Sequence, residues 1–276
     1  MRRRDELLSK SIGKSSWKAY ATAWTSYTTF LKQIQVFAPL PLTETLLELY
    51  IASVSNGLAY TTIKSYLSGI KFMHVLAGYP LQGLFSHRLH LILKGTRRGQ
   101  GSSRTRPRRL PISMPDLSLL VSTVQRVLSR HDATMFRAAF TLAFFGLLRV
   151  SEFTCPAGDI FDGRCHLGLR DVFVDPGGSM VRIRIKVSKS DPFREGAIIR
   201  LSRTDSQLCP VNAMLHYLQF RSLRPDGPLF IFQSGIFLTR QHIVRVLGNT
   251  FPLIPQGSLG SHSLHICGAS KIERSK

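Results

Sequence analysis

Apolar residues recur at spacings of three and four through most of the first ninety positions. Trp17, Tyr20, Trp24, Tyr27 and Leu31 mark one face of a helix over 15–34, with Ser15 or Ser16 to cap its start. The aromatic stripe reads as core rather than as a platform for stacked bases. Pro39 and Pro41 break the chain. Leu46, Leu47, Tyr50, Ile51 and Val54 predict a second helix over 43–54, and Asn56-Gly57 a turn. Ile63, Leu67, Ile70 and Met73 predict a third helix over 61–77, stopped by Gly78. A short fourth helix over 86–94 completes an all-helical unit. Residues 95–109 then carry six arginines and no core-forming side chain, so 95–111 reads as a linker.

The second half mixes two periods. Ser113-Met114-Pro115-Asp116 is a helix-start signal, and helices are expected over 115–130 and 132–147. Gly158, Asp162-Gly163 and Gly177-Gly178 are turns. Val181 to Val187 alternates apolar and basic residues, which predicts a strand with one buried and one cationic face. A return strand over 197–201 makes a hairpin whose polar connection is 188–196. Helices follow at 210–222 and 239–249, and Gly260–Ser270 reads as a further helix start. The expected architecture is mainly α with a small antiparallel sheet. Its parts are a helical unit at 1–94, the linker at 95–111 and an α+β unit at 112–276.

Composition narrows the function. The 276 residues hold 37 Lys+Arg against 16 Asp+Glu, a net charge of +21, yet 43% are apolar. Such a chain folds, and it calls for a polyanionic partner. No acid occurs from Leu49 to Pro115, a span that holds Lys64, Lys71, Arg88, Lys94, Arg97, Arg98, Arg104, Arg106, Arg108 and Arg109. A solvated surface mixes both signs, whereas one sign over such a length suits phosphate. The arginine-rich stretch also fits a nuclear-import signal. The longest near-apolar run, Ala138–Leu148, is too short for a bilayer, and no apolar stretch follows the charged N-terminus, so neither a membrane span nor a secretory signal is expected. Cys155, Cys165, Cys209 and Cys267 show no CxxC spacing, which fits a reducing compartment. His262, His265 and Cys267 lack a fourth ligand at suitable spacing for zinc, so no metal is expected.

Three segments carry candidate chemistry. Gly146-Leu147-Leu148-Arg149-Val150-Ser151-Glu152 has the form R-x-x-E after an apolar helix. Lys189 sits in the hairpin connection, and His262-Ser263-Leu264-His265 lies near the end. In this order they resemble the catalytic domain of the tyrosine recombinase/integrase family, nearest in look to recombinases of eukaryotic mobile elements of the DIRS and Crypton kind. The first unit resembles that family's SAM-like core-binding domain. The likeness spans nearly all of residues 10–270. It implies double-stranded DNA as partner, assembly of several copies on DNA, a nuclear location in a eukaryote, and no cofactor. It also implies Arg149 as a phosphate-binding arginine, Glu152 as the carboxylate that orients it, Lys189 as general acid and His262 as the first residue of His-x-x-Arg. Lys64, Lys71, Arg97, Arg98, Arg104, Arg106, Arg108 and Arg109 would lie on the DNA backbone.

Two departures from the family pattern shape the expectation. His265 stands where the family has its second arginine, and imidazole lacks the five-donor fork. Of the seven tyrosines, none follows His262, where the family's nucleophile lies. Tyr217 falls in an apolar helical pattern and reads as core. The chain is therefore expected to bind DNA without cutting it. Two other readings stay open: an active recombinase whose sequence runs on, and a basic nucleic-acid-binding interaction protein.

Overall fold

The computed structural model describes residues 2–101, 110–189, 191–221, 226–254 and 263–264. Two compact units divide the chain, residues 1–106 and 107–276.

The first unit is helical: α1 (Arg2–Ser9), α2 (Lys14–Gln33), α3 (Glu44–Val54), α4 (Tyr60–Leu76) and α5 (His87–Gln100). Thr43 caps α3 by accepting the Leu46 N–H, and Ser86 caps α5 by accepting that of Arg88. Tyr27, Phe30, Leu31, Tyr50, Ile51, Ile63 and Ile70 form the core. Helices α2 and α4 pack so closely at Gly69 that a Cβ there would lie 2.9 Å from the Ala23 Cβ. The aromatic stripe is core from Tyr27 onward, while Trp17 is exposed and meets Phe72 edge to face.

The linker expected from residue 95 starts inside α5. Gly95 and Gly99 weaken that segment as a helix, but Gln100 fastens its end. The Gln100 Oε1 accepts the Tyr60 N–H, and its amide donates to the Ser55 and Leu58 carbonyls, each at 2.8 Å. Tertiary bonds override local propensity here. Arg104, Arg106, Arg108 and Arg109 lie outside the described residues.

The second unit holds α6 (Met114–Val127), α7 (Arg130–Phe145), α8 (Val150–Phe153), β1 (Val172–Val174), β2 (Met180–Ile185), β3 (Ala197–Ser202), α9 (Pro210–Phe220) and α10 (Arg240–Thr250). The Ser113 N–H donates to the Asp116 carboxylate and the Ser113 hydroxyl accepts the Asp116 N–H, a capping box for α6. Most of α7 from Ala133 to Phe144 is buried, making it the axis of this unit. The strands form an antiparallel sheet in the order β1-β2-β3, with Phe173 opposite Arg182 and Arg182 opposite Arg200. Val181, Ile183, Ile185 and Leu201 point into the core.

The alternating strand ends at Ile185 rather than Val187. Lys186 leaves the cationic face. Its Nζ lies 2.5 Å from the Asp171 carboxylate and donates to the Gly163 carbonyl at 2.7 Å, fixing the base of the hairpin. Tyr217 is fully buried, as its pattern predicts. Ser263 and Leu264 are helical and buried, and the Ser263 carbonyl accepts the Ile112 N–H at 3.1 Å. His262 and His265 lie outside the described residues.

Candidate functional site

The site begins where α7 ends. Gly146 closes the helix, its N–H donating to the Leu142 carbonyl, and the Leu148 N–H donates to that of Ala143. Leu147 takes a left-handed conformation, φ 53°, which a branched residue adopts only under constraint. A Cβ at Gly146 would lie 2.7 Å from the Leu142 carbonyl oxygen, so the tight exit requires glycine. Gly146→Ala is expected to lower stability by about 1–3 kcal/mol through this backbone clash. A urea midpoint equal to that of the parent protein would show that the turn relaxes freely.

This exit delivers Arg149 to the position before α8. Its N–H donates to Glu152 Oε2 at 2.8 Å, while its guanidinium Nη1 donates to Glu152 Oε1 at 3.0 Å. The carboxylate thus holds the arginine by backbone and side chain together, through charge-assisted bonds. The Glu152 side chain is 7% exposed and that of Arg149 24%, so the carboxylate is enclosed while the guanidinium reaches solvent.

A third group completes the cluster. The Ser188 hydroxyl donates to Glu152 Oε1 at 2.6 Å and accepts from Arg149 Nη1 at 2.9 Å. Ser188 belongs to the connection between β2 and β3, so the bond ties the hairpin to Arg149. Lys189 follows directly, is exposed, and makes no hydrogen bond or ion pair with the described residues. The structure therefore brings Arg149, Glu152 and the start of the Lys189 connection together. Ser188 is the residue that sequence reasoning did not single out, because a serine in a polar turn gives no signal of a partner thirty-six positions away.

Further along the hairpin, Asp191 accepts the N–H groups of Glu195 and Gly196 at 3.1 and 2.8 Å. Backbone donors, that of Gly196 foremost, hold its carboxyl below the usual carboxylate range. The turn is thus fixed, and it presents Phe193 84% exposed.

The predicted phosphate contacts of the first unit fall on α4 and α5. Lys64 and Lys71 are exposed two turns apart on α4. Lys71 lies over the Phe85 ring, and Arg97 over the ring of Tyr60, where α4 begins. Arg97 and Arg98 occupy the last turn of α5, the part that Gln100 fastens. None of these four cations forms an ion pair among the described residues, whereas Arg88 is paired with Glu48 at 2.9 Å.

No group of His, Cys, Asp and Glu among the described residues could hold a metal ion. Tyr217 is no nucleophile in this arrangement. Its hydroxyl donates to the Leu229 carbonyl at 3.1 Å and accepts the Ile231 N–H at 3.0 Å. Burial pushes its phenol up to about 12.

Comparison with known proteins supports the fold. No family model and no curated protein matches the chain. Solved structures do. XerH site-specific recombinase, bound to a palindromic difH substrate, superposes with a TM-score of 0.59 at 15% identity, over 94% of this chain and 68% of that one. The Tn1549 transposon integrase, in complex with transposon right-end DNA, gives 0.58 at 13% identity, over 96% and 83%. A lambda integrase dimer bound to a COC' core site gives 0.56 at 14% identity, over 99% and 69%. The chain has the fold of the tyrosine recombinases and integrases.

Proposed function

We propose that this protein binds double-stranded DNA as a recombinase of the tyrosine type, acting in the recombination and integration of a eukaryotic mobile element in the nucleus, with several copies assembled on DNA. The observation that carries the reading is the Arg149–Glu152–Ser188 cluster beside the exposed Lys189, built on this fold. Arg149 is a planar, permanently charged donor whose orientation is preset, which suits a phosphate oxygen gaining negative charge. Glu152 orients it and keeps its charge compensated until phosphate arrives. In this reading Lys189, which follows a hairpin base fastened by Lys186, donates a proton to a leaving oxygen.

These residues supply recognition and electrostatic stabilisation without a cleaving nucleophile. Six of the seven tyrosines belong to the first unit, and the seventh, Tyr217, has its hydroxyl engaged in the core. The 276-residue chain is therefore read as binding DNA without cutting it.

The test uses a fluorescent duplex. Arg149→Ala is expected to weaken binding about 10- to 100-fold, the worth of one or two charge-assisted bonds. Incubation with nicked duplex is expected to give no covalent protein–DNA adduct. Unchanged affinity on loss of Arg149 would remove it from the interface, and an adduct that survives denaturation would overturn the non-cleaving reading.

A further inference from the structure

The outward face of the sheet carries a cationic pattern that the Arg149 site does not use. Arg182 and Arg184 on β2 and Arg200 on β3 are all exposed, and none forms a hydrogen bond or ion pair among the described residues. Register puts Arg182 directly opposite Arg200. On one face of an antiparallel pair such side chains start about 5 Å apart, and like charges placed so destabilise the sheet. Folding gains nothing from this arrangement. The strands would be more stable with threonine or valine at either position, so the repulsion calls for an anion.

Two apolar residues share the face. Phe173 on β1 stands opposite Arg182 and is 51% exposed, while Ile198 on β3 stands opposite Arg184 and is 57% exposed. The face thus repeats one motif, an exposed apolar side chain beside a guanidinium, along the β2 axis at an interval of about 7 Å. A nucleotide divides in the same way, into an apolar base and a charged phosphate. A duplex offers phosphates and groove edges, since the flat faces of its bases are stacked inside. A single strand offers base faces and phosphates, and cationic grooves with aromatic platforms are how sequence-tolerant single-strand binding is built. A second copy of this chain is a poor occupant, because its 16 acids are outnumbered by 37 lysines and arginines, a net charge of +21.

We infer that the outer face of this sheet is a binding surface for single-stranded nucleic acid, separate from the Arg149 site. The arginines take successive phosphates, Phe173 stacks on one base and Ile198 packs against the next. A strand displaced from a duplex, or an RNA, is ligand of this kind.

The experiment measures anisotropy of a labelled oligo(dT) of about 12 nucleotides, a length within the range of single-strand binding folds. The double variant Arg182→Thr/Arg200→Thr is expected to lose at least about tenfold in affinity, as two phosphate contacts are removed. Phe173→Ala is expected to lose about tenfold as well, the worth of one stacked base. All three side chains are exposed, and the double variant removes a like-charge pair, so its thermal midpoint without ligand is expected to rise. Arg149→Ala is expected to leave oligo(dT) binding unchanged, and the sheet variants to leave duplex binding unchanged. Duplex binding that depends on Arg149, with oligo(dT) affinity indifferent to Arg182, Arg200 and Phe173, would overturn this inference and spare the duplex reading. Competition by poly-glutamate as strong as that by oligo(dT), with no effect of Phe173→Ala, would mean an acidic peptide occupies the face and would equally overturn it.

Discussion

Raising the salt from 50 to 200 mM is expected to weaken duplex binding at least about a thousandfold. Each lysine or arginine that settles on a phosphate releases condensed counterions, so affinity falls as a power of salt concentration. Lys64, Lys71, Arg97 and Arg98 of the first unit are exposed and unpaired with acid among the described residues, and Arg149 and Lys189 open to solvent in the second. Four more arginines, at 104, 106, 108 and 109, lie in the acid-free span. Six to ten phosphate contacts correspond to a loss of about 10³–10⁵ over that range. Titration at several salt concentrations reads the slope directly. An affinity independent of salt would contradict a phosphate interface of this size, whatever the affinity itself. Replacing Arg97 and Arg98 together should reduce the slope by about two, and a full slope in that variant would place them off the DNA.

Tyr217→Ala is expected to cost the second unit at least about 3–5 kcal/mol, comparable to much of the stability of an ordinary domain. The ring is fully buried and stacks on Phe230. Its hydroxyl also serves the segment after α9, accepting the Ile231 N–H and donating to the Leu229 carbonyl. The alanine variant leaves both a cavity and unpaired backbone groups. Tyr217→Phe removes only the hydroxyl and should cost about 1–3 kcal/mol. Both tryptophans, Trp17 and Trp24, belong to the first unit, so indole fluorescence follows that unit while far-UV circular dichroism follows both. The dichroism transition should move to lower urea. A midpoint unchanged by the alanine substitution would refute the assignment of Tyr217 to the core.

The same residue predicts a pH dependence. An unfolded tyrosine titrates near 10, whereas burial raises the folded group to about 12. Between those values the folded chain holds a proton that the unfolded chain has lost. The stabilisation is therefore complete below pH 10 and disappears as pH rises through 12. Burial pushes the Tyr27 phenol up to about 12 as well, so absorbance titration should show at least two late phenols, and the loss of one of them in Tyr217→Phe would assign it.

Elements carried by local signals were legible in the sequence. The spacing of Ile63, Leu67 and Ile70 marked α4 to within a residue or two, and the alternation of Val181 to Ile185 marked β2 with its faces correctly assigned. Arg149 and Glu152 were legible because their partnership is local, three positions apart. What escaped was tertiary. The end of α5 read as linker because its glycines and arginines offer no core face, while the bonds that hold it come from one glutamine reaching another helix pair. β1 is three residues long, too short for any period to show. Lys186 looked like one more basic residue on an exposed face, and only the fold reveals the Asp171 that claims it. Ser188 carried no mark, since its role is set by groups far off in the chain.

The shared bonds of Ser188 have a mechanical consequence. One hydroxyl both steadies the arginine and moors the hairpin, so the segment leading into Lys189 is held by the same oxygen that orients Arg149. The hairpin is latched by the very pair it would serve. Under the proposed function, an anion bound at Arg149 would join a hydrogen-bond network that already includes the hairpin. A change at Ser188 would therefore be felt at both the arginine and the hairpin, because a single oxygen joins them.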